Sequence, residues 1–359
     1  MKFRSPLLCA SACLLLACGN TGAPELDYGP LLGNVSQQVI LPEHRQFVTQ
    51  AQALVDSVQM LSDSPDEVSL QAAQAAWREA RKAYRTLDAL HVGPGYTLHI
   101  TEAIDVSPID LDGIEALVTG SGAVDDQAVR NAGAKKKGFL GLEYLLFAEP
   151  SSKLPAPALA DDDWAVRRRL LAISIADEIA KLARDLDAAW EGDDGAAAQL
   201  EQAGKGGTKY ATQRAAVDDL IGGTGYALEL IVGVRLALPL GRHNGGTPDP
   251  SLDPTLRSDS AVADMQASLA GVFALYSGDG LSAVIRGKSS ALDQRVLDQF
   301  TAGEAKLNAL PAPFETAVVD DTALVQEAYD STQALKKTWN TDVASALGAT
   351  ARTGENDGD

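Results

Sequence analysis

Cysteine is nearly missing from this chain. Of 359 residues three are cysteine, Cys9, Cys13 and Cys18, and all lie at the very start. From residue 19 onward the sequence can form no disulfide, no thiolate metal site and no cysteine nucleophile. Aromatic residues are scarce too, at 5%, while alanine and leucine are plentiful, a balance that favours helices over a β-sandwich. Basic residues are outnumbered, 30 against 49 acids, for a formal charge of −19. So acidic a surface argues against nucleic acid, whose phosphates need lysine and arginine. There is no HExxH, no P-loop, no dinucleotide glycine fingerprint after a strand and no nucleophile elbow.

Long apolar runs are also absent, with one short exception. Lys2 and Arg4 precede an apolar stretch over residues 7–17 that is too short to span a bilayer. It ends Leu15-Leu16-Ala17-Cys18, which resembles a bacterial lipobox. The implied events are removal of a signal peptide, 1–17, and acylation of Cys18. The expected partner is therefore a membrane, reached through a lipid at Cys18. The expected place is the cell envelope, on an outer membrane, facing the periplasm or the cell surface. Residues 18–38 contain Gly and Pro without periodicity and read as a tether.

What the rest of the chain has is helical spacing. Phe47, Ala51, Leu54, Val58 and Leu61 recur three and four apart. The next helix runs to about residue 90, with Trp77, Ala80, Tyr84 and Leu87 on one face and Arg78, Glu79, Arg81 and Lys82 as its wet side. Residues 91–122 read as a long acidic loop with a short helix near 109–118. Its DLDGIE run lacks the spacing of an EF-hand. Further helices are expected over 125–147 and 164–190, then an acidic, Gly-rich linker. After the linker come 208–238, 257–276, 292–310 and 321–347. Four long helices, a linker and four more predict an all-α fold of two four-helix bundles, 39–192 and 205–350, with a polar tail at 351–359.

Two acids sit on apolar helix faces. The neighbours of Glu143 at three and four residues are Phe139, Leu140, Leu146 and Phe147; those of Glu229 are Gly225, Tyr226, Val232 and Gly233. A carboxylate taken from water must be paired, hydrogen-bonded, metal-bound or neutralised. Each is therefore either a core acid paired with Arg or Lys from another helix, or a ligand in a functional site. His44, near the start of the first helix, reads as exposed. His91 and His99 flank a glycine turn and could approach Glu143 as metal ligands if the acidic loop folds over the bundle; His243 lies in a Gly/Pro loop.

Several stretches, taken in order, resemble the imelysin family: AAWREARKAY at 75–84, IDVSPIDLDGIEALV at 104–118, KGFLGLEYLLF at 137–147, LALPLG at 236–241 and LRSDSAVADM at 256–265. The resemblance implies a double helical bundle, an association with bacterial iron uptake and its components, and a metal ion, iron foremost, held at a GxHxxE motif. A peptidase activity is also attached to the family, without a recognisable catalytic apparatus. Gly138 and Glu143 match the motif, while Leu140 stands where the histidine would be. Arg257, Ser258 and Ser260 match the late segment, which implies polar groups near the same cavity. The role implied is binding in iron or other metal acquisition.

Overall fold

A computed structural model describes residues 26–90, 92–95, 98–149, 156–277 and 280–350. These form helices and loops, with no strand among the described residues. In chain order the α-helices are α1 (Gly29–Asn34), α2 (Leu41–Asp63), α3 (Glu67–Asp88), α4 (Ile100–Ile104), α5 (Leu111–Thr119), α6 (Asp126–Asn131), α7 (Gly138–Leu146) and α8 (Ala165–Trp190). They continue with α9 (Ala196–Glu201), α10 (Gln213–Glu229), α11 (Ala261–Tyr276), α12 (Leu281–Lys288), α13 (Ser290–Asn308), α14 (Phe314–Asp320), α15 (Thr322–Thr338) and α16 (Ala344–Leu347). Wide π turns carry α1 into α2, extend α10 over Leu230–Leu236 and join α15 to α16.

The first bundle packs α2 against α3 and α8, with α7 closing it. Spacing decides the buried faces: Phe47, Ala51, Leu54, Val58 and Leu61 of α2 are all inside. Asp66 caps α3 by accepting from the Ser69 N–H, and Ser69 returns the bond to the Asp66 N–H, so two orphan donors of the first turn are satisfied. The Trp77 indole donates to the Phe139 carbonyl at 3.0 Å, tying α3 to α7. The second bundle is built on α10, α11, α13 and α15, and there the Trp339 indole donates to the Ile221 carbonyl at 3.3 Å. The two bundles share one continuous apolar core. They meet where α3 lies along α11. At Gly271 a Cβ would stand 2.1 Å from the Thr86 carbonyl oxygen, so only glycine lets these helices approach so closely.

Four expected segments fold differently. From Tyr28 the tether is structured: α1 and the π turn bury Leu31, Leu32, Val35 and Ile40, and the Tyr28 hydroxyl donates to the Leu347 carbonyl at 2.5 Å. The linker carries α9, with Ala196, Ala197 and Leu200 buried against α1. The acidic loop holds, besides the expected short helix, which is α5, a further one, α4; together they bury Ile100, Ile104, Ile114 and Val118. The single helix expected over 125–147 is broken into α6, a 3-10 turn and α7. The chain turns extended at Ala132 and Gly133, and α7 begins at Gly138, at φ 68°, where a Cβ would lie 2.2 Å from the Ile104 carbonyl oxygen. Residues 1–25, and with them Cys18, lie outside the described residues, as do 351–359.

Candidate functional site

Gly138 sets where α7 starts, and so where Glu143 points. Its left-handed backbone lets α7 begin tight against α4. One and a half turns later Glu143 faces the second bundle and is 1% exposed. There it meets the loop that leads into α11. The Ser258 backbone N–H donates to Glu143 Oε1 at 2.9 Å and the Ser258 hydroxyl donates to the same oxygen at 2.6 Å. That loop is braced from both sides: Asp253 accepts from the Thr255 N–H and hydroxyl at 2.9 Å each, and Asp259 accepts from the Phe314 N–H at 2.9 Å. Burial pushes the Glu143 carboxyl from 4.5 up to about 7, against the Ser258 hydrogen bonds and the charges of Arg81 and Arg257.

Beside this latch lies a buried charge network that crosses between bundles. Arg81 of α3 is 1% exposed. Its guanidinium grips Asp264 of α11 through Nε at 3.0 Å and Nη2 at 2.7 Å, and Asp105 through Nη1 at 3.0 Å. Arg85, one turn on, pairs with Asp105 and with Asp88. Arg235, from the π turn after α10, reaches Asp264 at 3.0 Å. Burial alone would raise the Asp264 carboxyl, but Arg81, Arg235 and Arg85 hold it below its ordinary value. Burial, with Arg235 and Arg81 beside it, pushes Arg85 down to about 10. Three guanidiniums thus face three carboxylates, as buried charges require.

Next to the network a cleft of about 330 Å³ opens between the bundles. Arg85, Asp105, Leu140, Tyr226 and Arg235 are among its walls. Leu140 is buried and presents an apolar surface to it.

The structure gathers some of the expected site residues and separates others. Gly138, Glu143 and Ser258 come together as described. Ser260 is buried and precedes α11, where its carbonyl accepts from the Asp264 N–H at 2.8 Å. Arg257 stacks over the Tyr144 ring at 5.4 Å and pairs with Glu149. Glu229 is elsewhere: it pairs with Lys336 of α15, inside its own bundle. The His99 side chain is 85% exposed, with Glu102 at 3.8 Å, so the loop turns it outward rather than toward Glu143. His91 lies outside the described residues, and His243 is exposed.

Two residues read as solvated are in fact interior. His44 is buried and stacks on Trp190 at 5.1 Å, and burial pushes its imidazole down to about 3, which leaves it neutral. Arg81 belongs to the network. Its spacing from Trp77, four residues earlier on the buried face of α3, is the signal that placed it there. Asp264, Arg235 and Asp105 carried no comparable signal, because each is buried against a partner distant in sequence: Asp264 against Arg81 of the other bundle, Asp105 against Arg81 and Arg85, and Arg235 against Asp264.

The metal implied by the motif does not fit these residues. Leu140 has no lone pair, Glu143 Oε1 already accepts two hydrogen bonds, and no three His, Cys, Asp or Glu side chains converge among the described residues. A zinc or iron site needs several such donors around one point.

Comparison with known proteins gives a consistent picture. The family model described as Imelysin matches residues 40–339. Iron-regulated protein A from Synechococcus elongatus is 27% identical over 316 residues, which is 85% of this chain and 82% of that protein. A crystal structure from Parabacteroides distasonis, named as an iron-regulated protein A precursor, superposes with a TM-score of 0.78 at 18% identity. It covers 92% of this chain and 97% of its own. An imelysin-like protein from Psychrobacter arcticum superposes with a TM-score of 0.71 at 17% identity, over 90% of this chain and 96% of its own. At that identity the two structures speak for the shared all-α fold, while the family model spans most of the chain. The chain belongs to the imelysin family.

Proposed function

We propose that this protein is a lipid-anchored binding protein of the cell envelope that acts in iron acquisition, with the cleft between the bundles as its binding site. The iron connection is supported by the family and by the likeness to iron-regulated protein A. The lipid anchor is supported by the Leu15–Cys18 sequence. The observation that carries the binding reading is the latch itself. Glu143 and Ser258 hold α7 of one bundle to the loop before α11 of the other. They thereby fix the cleft wall that Leu140 supplies. A rigid, partly polar cleft between two domains is the ordinary form of a small-molecule site. Its partners are iron-uptake components of the same envelope.

The test is growth under iron limitation of a strain lacking the gene, rescued by variants. Wild type restores growth, and Leu140→Trp, which fills the cleft, does not. Cys18→Ala moves the protein from the membrane to the soluble envelope fraction. Growth of the deletion strain at the parental rate under chelation would contradict the iron role, and unchanged fractionation of Cys18→Ala would contradict the anchor. A second reading is favoured by Leu140 itself: a protein that docks a partner through a site no longer used for a ligand. Full rescue by Leu140→Trp would select it.

A further inference from the structure

The chain enters the fold at one end of the molecule. Tyr28 is fixed there: its N–H donates to Gln213 at 2.6 Å and its hydroxyl to the Leu347 carbonyl at 2.5 Å. Four exposed cations, Lys205, Lys209, Arg214 and Lys288, surround that point. Lys205 Nζ lies 3.8 Å from where a Cβ on Gly29 would stand, and donates to the Glu201 carbonyl at 3.1 Å. Lys209 closes the Gly-rich loop 204–209, in which the Gly204 N–H donates to the Tyr210 carbonyl. Arg214 packs beside Gly348, and Lys288 donates to the Ala346 carbonyl. The carboxylates of this end are turned toward other donors. Asp27 accepts from the Gly29 N–H and from Gln213 at 2.9 Å each, Asp218 from the Thr350 N–H at 2.8 Å, and Asp219 from the Tyr210 hydroxyl at 2.6 Å. Arg214 and Lys209 approach Asp218 and Asp219 only to 3.8 and 3.9 Å, and in both pairs the cation is the more exposed partner. Loose pairs of this kind hold little energy, so the cations stay available to another anion.

We propose that this end is a docking surface for a bilayer of anionic phospholipid. The proposal rests on the lipid anchor at Cys18 argued above. From Cys18 to Leu26 is 26 − 18 = 8 residues, which reach at most about 28 Å when fully extended. Tyr28 is already buried, so the tether is far shorter than the expected 18–38. An anchored chain therefore holds Tyr28 within that reach of the bilayer, and the surface around Tyr28 is the one with the four cations. Anionic headgroups attract lysine and arginine close to the membrane. The chain as a whole carries −19, so its remaining surface is repelled by the same headgroups, and the two effects turn one end inward. α13 gives the scale: Lys288 stands just before it, and Lys306, eighteen residues on and paired with Glu327, is about 27 Å further along the helix. The residues after Thr350 add three acids and one arginine, so the contact is modest in strength and salt releases it.

Lysine footprinting tests the surface without depending on acylation in the cell. In the full chain with Cys9→Ser and Cys13→Ser, Cys18 is the only thiol, and it is coupled to a maleimide phospholipid in vesicles. A water-soluble acetylating reagent, read by mass spectrometry, should modify Lys205 and Lys209 severalfold more slowly on vesicles containing phosphatidylglycerol than in the free chain. Lys306 should react at the same rate in both. Added salt should restore the rate at Lys205, and so should the triple change Lys209→Glu, Arg214→Glu and Lys288→Glu. No protection of Lys205 and Lys209, or equal protection of Lys306, would overturn the surface. So would protection that survives the triple change, or that is as strong on pure phosphatidylcholine. The fractionation of Cys18→Ala judges the anchor separately, because here the lipid is attached chemically.

Discussion

Glu143 and Glu229 have the same local setting in the sequence, each the lone acid on a face of apolar or small residues, and they end in different places. Glu143 is 1% exposed and takes both its hydrogen bonds from Ser258 of the other bundle. The Glu229 side chain is 35% exposed and pairs with Lys336 of its own bundle. One acid joins the halves of the molecule; the other trims the edge of one half. Helix spacing tells which way a side chain leaves its helix. It does not tell what stands opposite. A second bundle stands opposite α7, and partial solvent with a lysine stands opposite the end of α10.

If that contrast is right, disrupting the charges around Glu143 should cost far more than disrupting those around Glu229. The largest effect is expected for Arg81→Ala, which leaves Asp264 and Asp105 short of a buried counter-charge. A loss of about 3–5 kcal/mol in denaturant unfolding is expected. Lys336→Ala, the matching change at Glu229, should cost less than about 1 kcal/mol, because that pair is partly in water. Comparable losses for the two would break the comparison.

The next effect is in pH. The folded state holds the Glu143 proton up to about 7, while the ordinary carboxyl value is 4.5. Between those values the folded chain binds more protons than the unfolded one. Stability contributed by Glu143 therefore falls as pH rises through that window and levels off above it. The full shift corresponds to about 3 kcal/mol. Subtracting the unfolding profile of Glu143→Gln from that of the wild type should reveal this slope, and Glu229→Gln should leave the slope in place. A smaller loss, about 1–2 kcal/mol, is expected for Ser258→Ala above pH 7, where the charged carboxylate keeps only the backbone donor. Smallest of all, Glu229→Gln should change stability by less than about 1 kcal/mol at neutral pH.

Much of the fold was legible because it follows from spacing. The buried faces of α2 and α3 and the two-bundle plan come from residues recurring three and four apart. The breaks were less legible. Nothing periodic marks Gly138 as the start of α7; its role depends on the Ile104 carbonyl beside it, which is distant in sequence. The segment around α1 looked like a tether because Gly29, Pro30 and Gly33 interrupt its pattern, yet Leu31, Leu32 and Val35 find a groove against α9 and α10. At the site, Glu143 and Ser258 could be picked out separately, from an apolar helix face and from a family segment. Their bond could not. Arg81 was misread as wet because it stands among Arg78, Glu79 and Lys82, although Trp77 four residues earlier shares its face. His44 was misread because a helix start is commonly exposed, while here the start of α2 is covered by Trp190.

The central claim is that Glu143 is a buried latch between bundles rather than a solvated or surface-paired acid. The most direct measurement is an NMR titration of the Glu143 side-chain carboxyl carbon, read together with the Ser258 amide proton. A midpoint near 7 in both signals is expected, moving together because one hydrogen bond joins them. A Glu143 midpoint near 4.5, with a Ser258 amide that does not respond, would contradict the account.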